Sequence, residues 1–335
     1  MRKPASVSLL CIILLILLAS CSSAGWLSDP YRAYSEDDYV CALGYGKNAA
    51  EADLDARREL ASLFGMAVQS TVSRTLIETS VVKDGKTSES FGEYFTSNAS
   101  ITVAVDNLFG VEIAKRTTDK YGRFISLAVM ERRTTADYCL AKRNSLKNQI
   151  EDLSRTIQTN FGTISAVQDC VELIGFCNEF NTNTVMYNYL TGQSLDFMSL
   201  SFAYSLYRTA RDSVVLEVVV EGDDSGSVSS VVSKVFTDSG FSVSNGALHP
   251  TARITVSITW RETKGTGVAS DFMFAEYNAD VSFVDLAENE TIMVFSSIGK
   301  EGHQSIDGAK ARAVTGLVSQ IDKDLRNAIN GALTY

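Results

Sequence analysis

The stretch that decides the fold is Arg253-Ile254-Thr255-Val256-Ser257-Ile258-Thr259-Trp260. Large apolar side chains alternate with polar ones along the whole run. That is the period of a strand with one face in a core and the other toward water. Working outward, Val214, Leu216, Val218 and Val220 repeat the alternation upstream, and Tyr277, Ala279, Val281 and Phe283 repeat it downstream. Residues 292–297 pair with the latter across a polar turn. Val228, Val231, Val232 and Val235 form one helix face between the first two strands. After the last strand, Ala313, Leu317, Ile321, Leu325 and Ala328 mark an amphipathic helix reaching nearly to Tyr335. This β-α-β-β-β-α order predicts a two-layer α/β domain over residues 213–335.

A second such domain is predicted over residues 39–133. Tyr39-Val40-Cys41-Ala42-Leu43 reads as a strand ended by Gly44-Tyr45-Gly46. Asn48 opens a helix to about Met66, with Ala49, Ala52, Ala56, Leu60 and Leu63 at helical spacing. The Thr- and Val-rich residues 68–82 predict a strand, and residues 83–94 a polar loop. In residues 98–108, Ile101, Val103 and Val105 alternate as in a strand, yet the segment also suits a short helix. Residues 111–116 and 124–130 form a hairpin around Asp119-Lys120-Tyr121-Gly122. The intervening residues 134–212 read as helical. Cys139, Leu146, Ile150, Leu153 and Ile157 make a near-heptad stripe, which Val167, Val171, Ile174 and Phe180 continue. Further helical stretches at 184–190 and 195–210 are rich in aromatics and methionine. Such a region either covers the neighbouring sheet or forms an arm that packs on a partner. The fold class is α/β (α+β): two small two-layer α/β domains separated by a helical region.

Arg2 and Lys3 precede an apolar run over residues 7–18, which ends in Leu18-Ala19-Ser20-Cys21. A charged start, a short apolar core and small residues before a cleavage point predict a signal peptide over residues 1–20. The run is shorter than the roughly 20 residues of a membrane span. The tetrad resembles the lipobox of bacterial lipoproteins. That resemblance implies a diacylglyceryl group on the Cys21 thiol, cleavage just before it, and further acylation (palmitate) of the new amine. Residues 21–38, polar and containing Pro30, are then a lipidated tether. Two or three acyl chains hold a protein to a membrane where one does so only marginally. Ser22 in place of aspartate implies sorting to the outer membrane, facing the periplasm. An ordinary secretory signal with a chance cysteine is the competing reading.

Three stretches resemble the LPP20 family of bacterial lipoproteins. They are Ala42-Leu43-Gly44-Tyr45-Gly46, the Ala- and Leu-rich helix at residues 49–63 leading into Val68-Gln69-Ser70-Thr71-Val72, and Gly122-Arg123-Phe124-Ile125-Ser126-Leu127-Ala128-Val129 followed by Glu131-Arg132. The resemblance covers roughly residues 38–150. The C-terminal domain is more loosely similar to α/β modules of flagellar-associated and secretion-associated envelope proteins, in which a hairpin and a glycine turn, here residues 299–302, precede a long Ala-rich helix. The family implies non-enzymatic work in the cell envelope, some members supporting the flagellar motor.

Composition narrows the field. The formal charge of −10 becomes more negative once Arg2 and Lys3 leave with the signal. An acidic chain without basic clusters argues against nucleic acid and against electrostatic docking on anionic lipid. Cys41, Cys139, Cys170 and Cys177 remain, in an export compartment that permits disulfides. Cys170 and Cys177 are seven apart in a helix, a rise of roughly 10 Å, beyond the roughly 7 Å that a disulfide spans. Pairing of Cys139 with either, or four small buried thiols, both stay open. His249 and His303 are the only histidines, both expected in loops, so neither a zinc site nor a nucleophilic triad is supported. Gly265-Thr266-Gly267 lacks the rest of a phosphate loop and reads as a turn. Asp223-Asp224 lacks the alternation and distal glutamate of a calcium loop, and Ser227 is expected to cap the helix that follows.

No catalytic, cofactor or metal residues are assigned, and Cys21 is the one expected site. The leading expectation is a membrane-anchored structural or assembly protein, held through lipid at Cys21, with envelope proteins as partners and self-association open. The alternatives are a lipoprotein presenting a small molecule or peptidoglycan fragment in a groove lined by the aromatics of residues 187–207, and a hydrolase with an unseen site.

Overall fold

The computed structural model describes residues 25–80, 109–244, 246, 249–269 and 271–333. The fold is mixed α/β, with one three-stranded and one five-stranded sheet among the described residues. The chain divides into two compact units. Unit 1 comprises Met1–Ser145 and Glu179–Phe197, and unit 2 comprises Leu146–Asn178 and Met198–Tyr335. The two long helices between the sheets therefore supply residues to both units.

Unit 1 begins with a single helical turn, α1 (Gly25–Ser28), and a 3₁₀ turn at Pro30–Arg32. Strand β1 (Tyr39–Gly46), helix α2 (Ala49–Ser80), and strands β2 (Val111–Thr118) and β3 (Phe124–Glu131) follow. The sheet order is β1-β3-β2, antiparallel throughout. Central β3 is buried on both faces. Ala128 and Met130 join Val40, Ala42 and the α2 residues Ala56, Leu60 and Phe64 in one core. Ile125, Leu127 and Val129 join Cys41 and Trp26 in another. Residues 25–34, read as part of a tether, thus fold as the cover of the second sheet face. Trp26 and Leu27, with the half-buried Tyr31 and Tyr34, supply the apolar surface that this face requires.

Helix α2 starts as the sequence predicts. Asn48 Oδ1 accepts from the Glu51 amide at 2.9 Å, and Glu51 Oε2 accepts from the Lys47 amide at 3.0 Å, a reciprocal cap of two free donors. Its end is different. Residues 68–80 continue the helix instead of forming the expected strand. Once nucleated, a helix extends at little cost per residue, and Thr and Val lower its propensity by only tenths of a kcal/mol each. No glycine or proline interrupts residues 67–80. The segments 83–94 and 98–108 lie outside the described residues.

Gly44 and Gly46 do not form a turn: β1 runs through both. A Cβ at Gly44 would lie 2.5 Å from the Ala52 carbonyl oxygen and from Ala56 Cα, so α2 crosses β1 at backbone distance. The Tyr45 amide donates to Asp55 on α2 at 2.9 Å. Asp53 accepts from Arg116 Nη2 at 2.7 Å and from Ser126 Oγ at 2.6 Å, joining α2 to β2 and β3. The Arg116 hydrogen bonds hold the Asp53 carboxyl below the usual range.

Helices α3 (Arg132–Thr159), α4 (Ile164–Thr191) and α5 (Leu200–Ser213) come next. The stretch read as separate at 184–190 is the end of α4. Ala136, Cys139, Met186 and Leu190 close the α2-side core of unit 1. Arg143 fixes this end by donating to Thr184 Oγ1 at 3.1 Å and to the Asp196 carbonyl at 3.0 Å.

Unit 2 carries β4 (Val215–Glu221), α6 (Ser227–Asp238), β5 (Ser242–Val243), β6 (Ala252–Lys264), β7 (Met273–Asp285), β8 (Glu290–His303) and α7 (Ile306–Ala332). The expected layout holds, with two-residue β5 added. The order is β5-β4-β6-β7-β8, with β4 parallel to β5 and β6 and an antiparallel meander from β6 to β8. Ile254, Val256 and Ile258 face the helices, as do Ala279, Val281 and Phe283. On α7, Ala313, Leu317, Ile321, Leu325 and Ile329 are buried at four-residue spacing. The expected glycine turn at 299–302 is instead strand β8. Gly299 and Gly302 lie opposite Tyr277 and Phe274, whose rings occupy the space that a Cβ would need, so aromatic side chains on the paired strand cover the bare backbone.

The close crossing at Gly44 yields a direct prediction. Gly44→Ala lowers the stability of unit 1 by about 1–3 kcal/mol, the cost of overpacking against a neighbour that cannot move away. Gly175→Ala, with nothing within 4 Å of the added methyl, raises the stability of unit 2 by about 0.5–1 kcal/mol through helix propensity. Each unit has one tryptophan, Trp26 or Trp260, so urea unfolding followed by fluorescence in single-tryptophan backgrounds measures each effect separately.

Candidate functional site

Cys21, the expected lipidation site, and the expected signal at residues 1–20 lie outside the described residues. The other groups singled out in the sequence can be placed.

The four remaining cysteines are all buried and unpaired. They occupy positions facing the two cores of unit 1 and the interior of unit 2. Burial pushes the Cys41, Cys139 and Cys177 thiols up to about 11 and that of Cys170 to about 12. A thiol is nucleophilic as thiolate, so these four are inert near neutral pH. Cys177 Sγ lies 3.7 Å from Met198 Sδ, a part-buried contact.

His249 is exposed just ahead of β6. His303 ends β8, and its Nδ1 accepts from the Ser305 amide at 3.2 Å and lies 3.1 Å from Ser305 Oγ. With Nδ1 accepting from the amide, a neutral ring carries its proton on Nε2. Ser305 Oγ in turn accepts from the Gly308 amide at 3.2 Å as the N-cap of α7. The serine–histidine pair is therefore engaged in starting a helix. Among the described residues, no group of three or more His, Cys, Asp or Glu side chains is placed to hold a metal ion.

At Asp223-Asp224 the cap is reassigned. Asp223 Oδ2 accepts from the Val228 and Ser229 amides at 2.9 and 3.0 Å, so Asp223 and not Ser227 caps α6. Gly226, at φ +69°, makes the left-handed step that brings the chain back over this carboxylate. Gly265 and Gly267 belong to the β6–β7 connection, with a 3₁₀ turn at Gly267–Ala269.

The aromatics expected to line one groove are distributed over both units. Tyr189 packs edge-on against Phe64 in unit 1 at 5.2 Å between ring centroids. Tyr204 and Tyr207 are buried in unit 2, where the Tyr207 hydroxyl donates to the Leu333 carbonyl at 2.7 Å.

The most consequential polar residue escaped sequence reasoning. Asp285, at the end of β7, is fully buried. Its Oδ2 accepts from the amide of Ile164, the first residue of α4. Its Oδ1 accepts from the amides of Ala287 and Glu288 at 2.8 and 3.2 Å. Ser165 Oγ donates to Glu288 at 2.9 Å beside it. The signal was present in the sequence: Asp285 continues the inward phase of Tyr277, Ala279, Val281 and Phe283, where an acid is out of place unless satisfied.

No family model and no curated protein matches the chain. Several solved structures are similar to it, all at low sequence identity. The secreted protein HP1454 from Helicobacter pylori is 11% identical with a TM-score of 0.49, covering 89% of this chain and 98% of that one. A minor lipoprotein from Acinetobacter baumannii is 10% identical with a TM-score of 0.26, covering 34% of this chain and 92% of its own. Lipoprotein GNA1162 from Neisseria meningitidis is 13% identical with a TM-score of 0.23, covering 33% and 99%. No helix among the described residues is long and apolar enough to cross a membrane.

Two predictions follow from this geometry. Asp285→Ala destabilises unit 2 by about 1–3 kcal/mol, because the buried Ile164 amide and the part-buried amides of Ala287 and Glu288 lose their acceptor, and Asp285→Asn costs less; Trp260 fluorescence during urea unfolding measures both. The raised thiol values work in one direction: the protonated form is favoured in the fold, so its contribution is complete below the unfolded value near 8.5–9 and is lost as pH climbs through about 11. Native protein at pH 8 therefore leaves Cys41, Cys139, Cys170 and Cys177 unlabelled by a thiol reagent, and denaturant releases all four.

Proposed function

We propose that this chain is a bacterial lipoprotein of the cell envelope, acylated at Cys21, acting as a structural or assembly component through protein–protein contacts and not as an enzyme. The observation that carries the reading is Leu18-Ala19-Ser20-Cys21 closing the apolar run behind Arg2 and Lys3. The finer reading is an LPP20-like protein of the outer membrane, facing the periplasm. It is supported by Ser22 after the acylated cysteine and by the LPP20-like stretches, which fall in β1, α2 and β3.

The placement of Trp26 adds a constraint on the anchor. Four residue steps separate Cys21 from Gly25, where α1 begins. An extended chain spans at most about 3.6 Å per residue, so this connection reaches no further than about 15 Å. An acylated Cys21 thus holds unit 1 next to the bilayer, within reach of other envelope proteins at the membrane surface. The use of Asp223, Asp285, Ser305 and His303 in helix starts and turns also favours a non-catalytic role.

Metabolic labelling with an alkyne fatty acid in a diderm host tests the anchor. The expected result is a labelled mature chain that begins at Cys21, and an unlabelled, uncleaved Cys21→Ala variant. Efficient cleavage elsewhere with no label would overturn the lipoprotein reading. Cross-linking in intact envelopes tests the role. Envelope assembly proteins recovered with wild type and lost with Cys21→Ala support it, while specific turnover of an envelope substrate by the purified protein refutes it.

A further inference from the structure

The five-stranded sheet of unit 2 has two unlike edges. Edge strand β5 has two residues and presents almost no free backbone. Edge strand β8 has fourteen, and among the described residues its only strand partner is β7. A long edge leaves a row of amides and carbonyls open to pairing, and stable monomers blunt such edges with lysines, prolines, bulges or shortness. Here the bulge falls at Ile292, near the start of the strand, and residues 293–303 then run in unbroken register with β7. The strand has no proline. Its one lysine, Lys300, is bonded to Glu276 on β7. Besides Lys300, the face away from the helices carries Val294 and Ile298, 67% and 79% exposed, on either side of Ser296.

We infer that β8 pairs antiparallel with β8 of a second copy of this chain, joining the two five-stranded sheets across a two-fold axis at Ser296. That register sets Val294 of each copy opposite Ile298 of the other on one face, so both exposed aliphatic pairs are covered together. Shifting the pairing by one side-chain repeat in one direction sets Val294 against Lys300, and in the other sets it against Ser296. A surface that complements itself in this way is what a two-fold contact requires. The axis lies within the described residues of unit 2, so the inference is independent of acylation at Cys21.

The test uses the mature chain from residue 21 with Cys21→Ser, in which the remaining native thiols are the four buried ones. Directly opposed Cα atoms in an antiparallel pair are about 4.5 or 5.5 Å apart, inside the range that a disulfide spans. Under mild oxidation, Ser296→Cys is expected to give a disulfide-linked dimer. Thr259→Cys, exposed in the middle of the same sheet face, is expected to stay monomeric. Adding Ile298→Lys to Ser296→Cys is expected to abolish the link while the circular dichroism spectrum stays that of the folded chain, because within one copy that side chain is in solvent. Sedimentation of the chain without added cysteines should show a dimer. A monomer in sedimentation, together with no more linkage at Ser296→Cys than at Thr259→Cys, would overturn the inference. So would a link that survives Ile298→Lys. In cells, a Ser296→Cys link to a different protein would assign the edge to another partner and equally overturn self-pairing.

Discussion

Asp285 is closed off from solvent, yet its carboxylate accepts backbone amides both from the turn beside it and from Ile164, 121 residues away. A buried charge without partners would cost several kcal/mol. Here the donors are the first amide of α4 and the turn after β7, and a helix start carries the positive end of the backbone dipole. The acceptor oxygens are satisfied only when both segments are in place, so the residue fixes the start of a 28-residue helix to one end of a sheet. The same end is knitted further. The Leu286 amide donates to the Thr251 carbonyl at 2.8 Å, and the Thr251 amide donates to the Val215 carbonyl at 2.9 Å. The starts of β4, β6 and α4 and the β7–β8 turn thus meet at one hydrogen-bonded corner, from which the strands of unit 2 run out in register.

Unit 1 solves a different problem. Its central strand is apolar on both phases, so both sheet faces must be covered, as in sheets sandwiched between other layers. One cover is helical and comes so close that Gly44 can have no side chain. The other is made from residues 25–34, with Trp26 at 6% exposure. Among the described residues, unit 2 covers only one face. The opposite face carries Arg253, Ser257 and Thr259 on β6 and Asp280 on β7, joined locally by pairs such as Arg253 with Glu217 and Ser296 with Asp280. A polar sheet face of this kind is stable in water, whereas a two-sided apolar strand is not.

What the sequence made legible follows from the range of the interactions involved. Strand alternation in β4, β6 and β7, the Asn48 start of α2 and the Asp119–Gly122 turn are set by neighbours within a few residues, and they were read correctly. In that turn Asp119 Oδ1 accepts from the Tyr121 and Arg123 amides, and Gly122 takes φ +79°. The misread segments depend on distant parts of the chain or on cooperative propagation. Residues 68–80 have strand-like composition but extend a helix nucleated at Asn48. Residues 25–34 look polar on average, yet four apolar side chains among them answer to a sheet face formed by residues far along the chain. Gly299 and Gly302 suggest a turn until Tyr277 and Phe274 are placed opposite them. Asp285 could be found from its inward phase, but its partner at Ile164 could not. Cys21 is a local signal in the opposite sense: four residues carry it, and the described structure begins just after them.

Several polar side chains of this protein serve helix starts and the junctions between elements. Asp223 serves the start of α6, Ser305 and His303 the start of α7, Asp285 the start of α4, and Asp53 the junction of α2 with two strands. Each is held by two or more hydrogen bonds, and each would have to break them to reach a substrate. Catalytic groups are usually arranged the other way, with some bonding capacity left for the reacting atoms. What these units present to solvent is extended instead: a polar sheet face, a long strand edge, and charged faces on helices whose apolar sides are buried. Surfaces of that kind are suited to recognising other surfaces by register and shape, and on the proposed reading an acylated Cys21 would hold unit 1 within about 15 Å of a bilayer, restricting where a matching surface could lie.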